Sequence, residues 1–481
     1  MKQTRTTIAW LARQHALALL ALFVALSGSS YATYAAATKL LPRNSVGSAQ
    51  VINGSLQKVD LSKKATAALK GARGPQGLRG AAGPAGLPGP QGPKGDPGSP
   101  GVAGQQGAQG PQGLPGTAIA RLAPGAAVLT TLDSTGNLGS YTSATIGSDA
   151  LGLISYSDEA NHDLKVAHCS NAACASATTT TLDSVGDAGR YSSVAIGADA
   201  LGLISYFDLT NGDLKVAHCN NTACTAADLS TLDSAGSVGW YTSIAIGTDG
   251  RGLISYHNDT IPTSLKVAHC DNAACTSATM STLDTGDVGW ETSVTIGADG
   301  LGLISHNDAT NGNLKVSHCD NTACTSATTT ALDSAVDVGY NDAATTGADG
   351  LGLISYFDNT NHDLKVAHCT NAACTSAALT TLDSAGDVGR ATSATIGADG
   401  LGLISYFDLT NGDLKVARCS NTACTSAATN TLDSAGVVGD YTSATIGTDG
   451  LPLISYFDNT NDDLKVAHCA NTFCAPYFRR R

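Results

Sequence analysis

Short apolar segments alternate with polar turns through most of the chain, in a pattern that returns after 50 residues (131 to 181, 181 to 231). In the second unit, TTTTLDS, YSSVAIG, LGLISYF and LKVAHC are rich in β-branched residues or alternate in polarity, and each is bounded by Gly, Asn or Asp. Such segments are typical of β-strands. Seven units begin with TLDS or a variant, at Thr131, Thr181, Thr231, Thr282, Ala331, Thr381 and Thr431. Seven repeats of four strands predict an all-β, seven-bladed β-propeller.

The two ends of the repeat array indicate how the ring closes. The array begins with TLDS and ends with LKVAHC, so the strand types are out of phase with whole blades. We predict that residues 127–134 form the outermost strand of the last blade, which leaves no unpaired edge. The YTSATIG segment is then innermost, where its small residues suit a crowded axis. An open solenoid of the same repeats is the alternative fold.

A second periodicity precedes the propeller repeats. Residues 71–118 carry glycine at every third position, in sixteen uninterrupted Gly-X-Y triplets that are rich in proline. Only glycine fits where three polyproline-type chains meet at one axis. A flexible Gly/Pro linker is the alternative, but it has no reason to keep this phase. The triplets therefore predict a collagen-like triple-helical stalk and a homotrimer.

The N-terminal region has the composition of an export signal. Basic residues precede an apolar stretch at 16–26, and small residues follow it. An apolar stretch of this length suits a signal peptide and is short for a membrane span. We predict a signal peptide or an uncleaved signal-anchor at 1–37, a spacer or trimerisation segment at 38–70, the stalk at 71–118 and the propeller at 119–481. The protein is expected outside the cell or at its surface, with membrane attachment only through an uncleaved N-terminus.

Charge is distributed unevenly along the chain. Residues 1–130 hold 13 Lys/Arg and 2 acidic residues, a net charge of +11, whereas residues 131–481 hold 14 Lys/Arg and 38 acidic residues, a net charge of −24. An acidic body argues against nucleic acid as a partner, because nucleic-acid binding needs a basic surface. Cations, neutral glycans or surface polymers remain as candidate ligands.

The N-terminal motifs resemble a known family. ALFVALSGSSYA, then LPRNSVGSAQVINGSL, then Gly-X-Y triplets look like the start of bacterial collagen-like surface proteins, over about the first 118 residues. This resemblance implies a cell-surface or extracellular setting and no enzymatic activity. The later units are similar to the propeller repeats (GRYTSLA…ISYYDATNGDLKYA) of uncharacterised secreted bacterial proteins. That second resemblance implies the fold and leaves the activity open.

All cysteines lie in the repeats, two per unit, with the spacing C-x4-C. In an exported chain, such local pairs predict disulfides. Zinc held by His168, Cys169 and Cys174 is the alternative, but neighbouring strand residues point to opposite faces. The predicted pairs are Cys169 with Cys174, Cys219 with Cys224, Cys270 with Cys275, Cys319 with Cys324, Cys369 with Cys374, Cys419 with Cys424 and Cys469 with Cys474.

Two loop types should share one face of the propeller, SAGDVGxY and FDxTNGD. They bring acidic and amide groups together with aromatic rings, a combination found at sugar-binding or Ca²⁺-assisted surfaces. The alternative is that these residues are there for turn geometry alone. No cofactor is predicted, and Ca²⁺ is only a weak possibility. The candidate ligand-binding residues are Asp208, Asn211, Asp213, Asp408, Asn411, Asp413, Asp458, Asn461 and Asp463, with Asp187, Tyr191, Phe207, Asp387, Phe407, Tyr441 and Phe457 beside them.

A recurring lysine and a recurring histidine lie on the LKVAHC strand. Because a catalytic residue is needed only once, repetition favours structural roles for both. We expect the lysine to project between blades or to solvent, or to pair with an aspartate of its own blade. In the sixth unit, Arg418 stands in place of the histidine and both cysteines are kept, which also argues against zinc.

A sialidase-like propeller hydrolase is one functional hypothesis, but its sequence requirements are largely missing. Such an enzyme needs several arginines to bind a carboxylate, and the units carry S-A-G-D-V-G where sialidase repeats carry S-x-D-x-G-x-T-W. Departures from the repeat are few: Trp240, Arg251, His257, Trp290, Arg390 and Arg418. The sequence therefore predicts a non-enzymatic, adhesive surface protein with multivalent binding, and a purely structural coat spacer is the other alternative.

Overall fold

In the computed structural model, which describes residues 127–476, twenty-eight β-strands form seven four-stranded antiparallel sheets. Each sheet is one blade of a propeller, as predicted. The predicted segments 1–37, 38–70 and 71–118 lie outside the described residues. Within 127–476, no helix is both long and apolar enough to cross a membrane.

Each blade has four strand positions, from the axis to the rim. The innermost strands are β2 (Leu138–Ile146), β6 (Ala188–Ile196), β10 (Val238–Ile246), β14 (Val288–Ile296), β18 (Val338–Thr346), β22 (Val388–Ile396) and β26 (Val438–Ile446). The second strands are β3 (Gly152–Asp158), β7 (Gly202–Asp208), β11 (Gly252–Asn258), β15 (Gly302–Asp308), β19 (Gly352–Asp358), β23 (Gly402–Asp408) and β27 (Pro452–Asp458).

The two outer positions follow the same order. The third strands are β4 (Asp163–Cys169), β8 (Asp213–Cys219), β12 (Ser264–Cys270), β16 (Asn313–Cys319), β20 (Asp363–Cys369), β24 (Asp413–Cys419) and β28 (Asp463–Cys469). The outermost strands are β1 (Ala127–Asp133), β5 (Ala177–Asp183), β9 (Ala227–Asp233), β13 (Ala278–Thr285), β17 (Ala327–Asp333), β21 (Ala377–Asp383) and β25 (Ala427–Asp433). Blades 1 to 6 are consecutive sets of four strands beginning with β2, and blade 7 contains β26, β27, β28 and β1.

The first strand of the head closes the ring. β1 pairs antiparallel with β28, with Ala127 opposite Cys469 and Thr131 opposite Lys465. Blade 7 is therefore built from both ends of the array, and β26 packs beside β2 of blade 1. The predicted closure and the innermost position of the YTSATIG segment are both confirmed.

Burial explains the composition of each strand position. The second strand, such as β7 with the sequence GLISYFD, is buried along its whole length, because neighbouring blades cover both of its faces. The apolar clusters form between blades rather than within one. Leu203 and Leu214 of blade 2, for example, pack with Ile254 and Tyr256 of blade 3.

One glycine position explains how closely the blades approach. Gly189 has φ +93°, and a Cβ there would lie 2.7 Å from the backbone Cα of Leu164 in the preceding blade. A side chain would be strained by both the conformation and the contact. The equivalent glycine recurs in all seven innermost strands, at Gly139, Gly189, Gly239, Gly289, Gly339, Gly389 and Gly439.

A buried polar triad joins consecutive blades. Tyr206 Oη and Lys215 Nζ of blade 2 both donate to Asp183 Oδ2 of blade 1, at 2.7 and 2.5 Å. The lysine thus reaches the preceding blade, and the aspartate of its own blade, Asp208, lies farther away at 3.6 Å. The same aspartate–lysine pair recurs at every blade junction, and only in blade 4 does a histidine, His306, replace the tyrosine.

The recurring histidine lies on the third strand and has a local partner. His218 Nε2 lies 2.7 Å from Asp199 Oδ2, in the turn between the first two strands of blade 2. Six units have this histidine–aspartate pair. In the sixth unit, Arg418 pairs with Asp399 instead. These contacts give the histidine a structural role, because each one anchors a turn.

All seven predicted cysteine pairs form disulfides, each linking the end of a third strand to the turn that follows it. The Cα atoms of Cys319 and Cys324, for example, are 4.8 Å apart, and both residues are fully buried. The disulfides therefore constrain the turn and also fill the core between blades. The bonded pairs are Cys169 with Cys174, Cys219 with Cys224, Cys270 with Cys275, Cys319 with Cys324, Cys369 with Cys374, Cys419 with Cys424 and Cys469 with Cys474.

The second cysteine of each pair lies in a turn with an unusual backbone conformation. Its φ is positive in all seven units, between 47° and 51°, at Cys174, Cys224, Cys275, Cys324, Cys374, Cys424 and Cys474. A residue other than glycine seldom adopts this conformation, and the surrounding structure must hold it there. Because both sulfur atoms of each pair are bonded to each other, the zinc alternative is wrong for Cys169 and Cys174.

We expect removal of one such disulfide to have a moderate cost. The double substitution Cys319→Ala/Cys324→Ala should lower the free energy of unfolding by about 2 kcal/mol, because a short loop loses its cross-link in the unfolded chain. Urea unfolding followed by circular dichroism measures this. The control is Thr322→Ala, at an exposed position of the same turn. Equal midpoints for the two variants would contradict the expectation.

Candidate functional site

The innermost strands share a β-bulge that directs one side chain per blade toward the propeller axis. In blade 2, Arg190 pairs with Phe207 and Ser193 with Ser205, so Tyr191 and Ser192 together oppose a single residue. A bulge of this kind redirects side chains and often lies beside functional sites. The first bulge residue has φ of 48° to 53° in all seven blades, at Tyr141, Tyr191, Tyr241, Glu291, Asn341, Ala391 and Tyr441.

These residues line a pocket of about 540 Å³, which we call the axial pocket. Four tyrosines form one side of it. The ring centroids of Tyr441 and Tyr141 are 4.6 Å apart, those of Tyr141 and Tyr191 are 4.4 Å apart, and those of Tyr191 and Tyr241 are 4.3 Å apart. Burial and the neighbouring tyrosines raise the pKa of Tyr191, so its hydroxyl stays neutral. This side of the pocket is aromatic, with hydroxyl groups at its edge.

The opposite side is acidic and polar. Glu291 accepts hydrogen bonds from the backbone N–H of Asn341 at 2.5 Å and from its Nδ2 at 2.9 Å. The Oδ1 of Asn341 in turn accepts from the N–H of Ala391 at 3.1 Å. Burial raises the pKa of Glu291 to about 7, although the Asn341 hydrogen bond and the charge of Arg390 act in the other direction. The carboxyl can therefore change its charge near neutral pH.

The second bulge residue carries another departure from the repeat. In six blades it is a threonine or serine whose hydroxyl bonds a buried serine of the blade before it, as Thr242 does with Ser205 at 2.6 Å. Blade 5 has Asp342 here, facing Ser305. Asp342 is 7% exposed, and neither of its carboxyl oxygens accepts a hydrogen bond from a described residue. Burial raises its pKa well above the usual value; the hydroxyl of Ser305 offsets this only in part, and the charge of Glu291 adds to it.

The axial pocket continues into a groove beside Ala391, where a tyrosine would otherwise stand. Arg390 and Asp440, on neighbouring blades, line this groove together with Leu409. The Arg390 guanidinium bonds both oxygens of Asp387, at 2.9 and 3.0 Å. Burial raises the pKa of Asp440. The backbone N–H of Tyr441, the side chain of Asn459 and the charge of Arg390 partly oppose this rise. With these residues, the lining of the pocket extends from the innermost strands to the loop that follows the second strand of blade 6.

The predicted ligand-binding residues lie on the same face of the propeller as the axial pocket, but their side chains bond other residues of their own loops. Asp208 is buried and accepts from the N–H of Asn211 at 3.1 Å and from its Nδ2 at 2.9 Å. Asp213 lies beside Asp208, and burial followed by the charge of Asp208 raises its pKa. The other two predicted sets have the same local arrangement, in which Asp408 bonds Asn411 and Asp458 bonds Asn461, with Asp413 and Asp463 beside them.

The two predicted loop types do meet on one face. The backbone N–H of Asp187 in the first loop donates to Thr210 Oγ1 in the second at 2.7 Å. The predicted aromatic residues are divided between two environments. Tyr191 lines the axial pocket, whereas Phe207 is buried behind it, with ring centroids 6.5 Å apart. The innermost strand also begins earlier than expected, at Ala188, so that it includes the last three residues of VGDAGR before the bulge.

Sequence reasoning missed the residues that distinguish one side of the pocket from the other: Glu291, Asn341, Asp342 and Asp440. A usable signal was present in the repeats. When the units are compared column by column, three adjacent columns of the innermost strand change residue type, including changes between neutral and charged residues. The column directly before them is glycine in all seven units, from Gly139 to Gly439, so these columns mark a place in the innermost strand where the sevenfold symmetry is broken.

Comparison with known proteins covers the two parts of the chain separately. Residues 67–126 match the collagen triple helix repeat, which confirms the collagen-like repeat. No curated protein matches the chain. Similar solved structures include a protein of unknown function from Dyadobacter fermentans (12% identity, 58% of this chain and 93% of that one, TM-score 0.43), hydrazine synthase from Kuenenia stuttgartiensis (11%, 74% and 99%, 0.47) and a sialidase from Streptococcus pneumoniae (9%, 72% and 70%, 0.42). No activity is carried from them to this chain.

Proposed function

We propose that this protein is an exported, trimeric surface protein that displays propeller heads on a collagen-like stalk, and that each head binds a ligand in its axial pocket. The collagen triple-helix repeat is consistent with a trimer. The axial pocket is concave, with one aromatic side and a few convergent polar groups, as in small-ligand sites.

The observation that carries the proposal is the break in symmetry at the axial pocket. Six blades place a hydroxyl at the second bulge position, and blade 5 places the unpartnered carboxyl of Asp342 there. Such a group destabilises the fold. Local departures from good packing and polar pairing are expected at functional sites. A purely structural spacer has no use for Asp342, so a binding role accounts for it better.

The proposal changes the expected number of sites. The repeated FDxTNGD aspartates are occupied by their own loops, so one site per head replaces one weak site per blade. Three heads on one stalk still give a multivalent molecule. Linked weak sites gain avidity through effective concentration, which suits attachment to a repetitive surface polymer.

One observation favours a second candidate, a hydrolase. The axial pocket contains Glu291, with a pKa raised to about 7, and two further carboxyl residues, Asp342 and Asp440. A protonated acid and a second carboxylate are the groups that glycoside hydrolysis uses. Release of reducing sugar from a bound glycan, abolished by Glu291→Gln, would support this candidate over binding alone.

We expect the full-length protein to bind members of a glycan and cell-wall polysaccharide array through the axial pocket. The double substitution Tyr141→Leu/Tyr191→Leu should weaken that binding about tenfold or more, because two stacking surfaces are lost. The matched control is Leu209→Ser, since Leu209 lies outside the pocket at the position equivalent to Leu409. Circular dichroism should show that both variants are folded.

Two results would contradict the proposal. The first is no saturable binding of wild-type protein to any array member, which would favour the structural-spacer alternative. The second is binding that Leu209→Ser and the tyrosine variant reduce equally, because the ligand would then contact another surface.

A further inference from the structure

We infer that the group bound in the axial pocket is an organic ammonium, carried by the ligand that the proposed function assigns to this site. The inference rests on that proposed function and adds the chemical class of the ligand.

The ionisable groups that line the pocket are mostly acidic. Glu291, Asp342 and Asp440 are carboxyl residues, and Arg390 is the one basic residue among the lining residues. The guanidinium of Arg390 is already bonded to both oxygens of Asp387, and it packs over a phenylalanine ring. Its charge is thus matched before any ligand arrives. Among the residues that line the pocket, acidic residues therefore outnumber basic ones, and the one basic residue is already paired.

Asp342 is the residue that most needs a partner. It is 7% exposed and is one of the residues that line the pocket. Its two oxygens are buried beside Ser305 and accept no hydrogen bond from the described residues. A buried carboxyl without a partner is unfavourable, and a nearby opposite charge offsets part of that penalty. A cation bound in the pocket would supply that charge.

The aromatic wall suits the same kind of group. Tyr441, Tyr141, Tyr191 and Tyr241 follow one another with centroid separations of 4.3 to 4.6 Å. The negative faces of aromatic rings attract cations, most strongly when water is excluded, and aromatic cages for quaternary ammonium groups use this attraction. The pocket thus combines aromatic rings with acidic residues, and both attract an ammonium group.

The groove beside Ala391 provides room for the rest of the ligand. A pocket of about 540 Å³ is much larger than one ammonium group. Because the lining of the pocket extends beyond the innermost strands to Leu409 and Asn459, which follow the second strands of blades 6 and 7, the rest of a ligand has room beside these two residues. This arrangement fits an ammonium presented on a polymer better than a free ion.

The charge state of the acidic wall makes binding depend on pH. The groups that face Glu291 are Tyr241, Tyr340, Asp342 and Arg390. The two tyrosines remain neutral and Arg390 remains charged in the neutral range. Because burial raises the pKa of Glu291 to about 7, that carboxyl becomes ionised as the pH rises from 6 to 8. A permanently charged ligand should therefore bind more tightly at pH 8 than at pH 6.

The test uses the full-length protein and two probes of the same shape. Choline carries a quaternary ammonium, and 3,3-dimethylbutan-1-ol has carbon in place of the nitrogen. Isothermal titration calorimetry at pH 8 should give choline about a tenfold or greater advantage in affinity. Glu291→Gln and Asp342→Asn should each reduce the ratio of the choline affinity to the alcohol affinity. The control is Glu159→Gln, a carboxylate outside the pocket.

Three results would overturn the inference: no binding of choline, equal affinities for the two probes, or choline affinity that falls as the pH rises from 6 to 8. The array experiment separates this failure from failure of the proposed function. If tyrosine-dependent binding to the array persists while choline does not bind, the proposed function stands and the ammonium inference fails. If both are absent, both fail.

Discussion

Asp342→Thr is expected to raise the free energy of unfolding of the propeller by about 1–3 kcal/mol and to remove its preference for a cationic ligand. The substitution installs the residue that five other blades carry at this position, in Thr142, Thr242, Thr292, Thr392 and Thr442. It replaces a buried carboxyl without a partner by a hydroxyl that can bond Ser305, as Thr292 bonds Ser255 at 3.0 Å. Relief of an unsatisfied buried group is worth about this much.

The stability gain should also depend on pH. The pKa of Asp342 lies well above its usual value in the folded protein, whereas an unfolded aspartate titrates near 4. As the pH rises above about 4, the unfolded chain loses a proton that the folded chain retains, so wild-type stability falls. The difference between Asp342→Thr and wild type should therefore widen from pH 4 upward. Chemical unfolding followed by near-ultraviolet circular dichroism measures it.

The control for this prediction is Thr142→Ser, because blade 2 already carries serine at the equivalent position, Ser192. Its stability should stay within about 0.5 kcal/mol of wild type. A variant Asp342→Thr that is less stable than wild type would contradict the account of Asp342 as a destabilising group.

Asp183→Ala should have the largest effect in the opposite direction, a loss of about 3–5 kcal/mol, because it removes one partner of a buried ion pair. Asp183 is 2% exposed, and Lys215 and Tyr206 both donate to it from the next blade. Alanine leaves an ammonium and a phenol without an acceptor between two blades. The measurement is the urea midpoint of the head.

A matched control lies in the same repeat unit. Asp199 also pairs with a basic residue, His218, but its side chain is 30% exposed. Exposed pairs contribute little, so Asp199→Ala should cost about 1 kcal/mol or less. If the two alanine variants unfold at the same urea concentration, the triad does not have the role assigned to it.

The same triads predict sensitivity to acid. Burial alone would raise the pKa of Asp183, but the hydrogen bonds from Lys215 and Tyr206 outweigh it, and the pKa is lowered. The equivalent aspartate at every blade junction has a lowered pKa, reaching about 2 at Asp284. A lowered folded-state pKa contributes stability above the unfolded value, near 4, and that stability is lost as the pH falls below it. Because the junction aspartates are protonated over the same pH range, the free energy of unfolding of the head should fall below about pH 4.

The sequence was sufficient for the fold because the controlling features are local and repeated. The alternation of strand residues, turn residues such as Asn211-Gly212 and the C-x4-C spacing recur in each unit, and the phase of the array implied the pairing of β1 with β28. The axial pocket was harder to predict. Residues 50 positions apart meet there only after the ring has closed, and the positive φ of Tyr191 breaks the alternation by which strand faces are assigned.

The predicted loop residues show a different difficulty. Asp208 and Asn211 have the residue types of a ligand site, but at this spacing an aspartate can bond the amide three residues later, and the structure uses it in that way. The partner of Lys215 was also not assigned from the sequence. Asp183 lies in the same repeat unit as Lys215 but in the preceding blade, and the sequence does not show which aspartate lies within reach across a blade junction.

The pairing of β1 with β28 has a mechanical consequence. The collagen-like repeat precedes β1 in the chain, so tension transmitted along the backbone enters the head at Ala127. The first residue pair of the β1–β28 ladder to bear this tension is Ala127 with Cys469. The disulfide between Cys469 and Cys474 holds that end of β28 in place. The far end of β1 is anchored by Asp133, which accepts hydrogen bonds from Tyr156 and Lys165 of blade 1. β1, the strand that completes the ring, is therefore also the strand that would bear a pulling force on the head, and contacts at both of its ends resist its separation from β28.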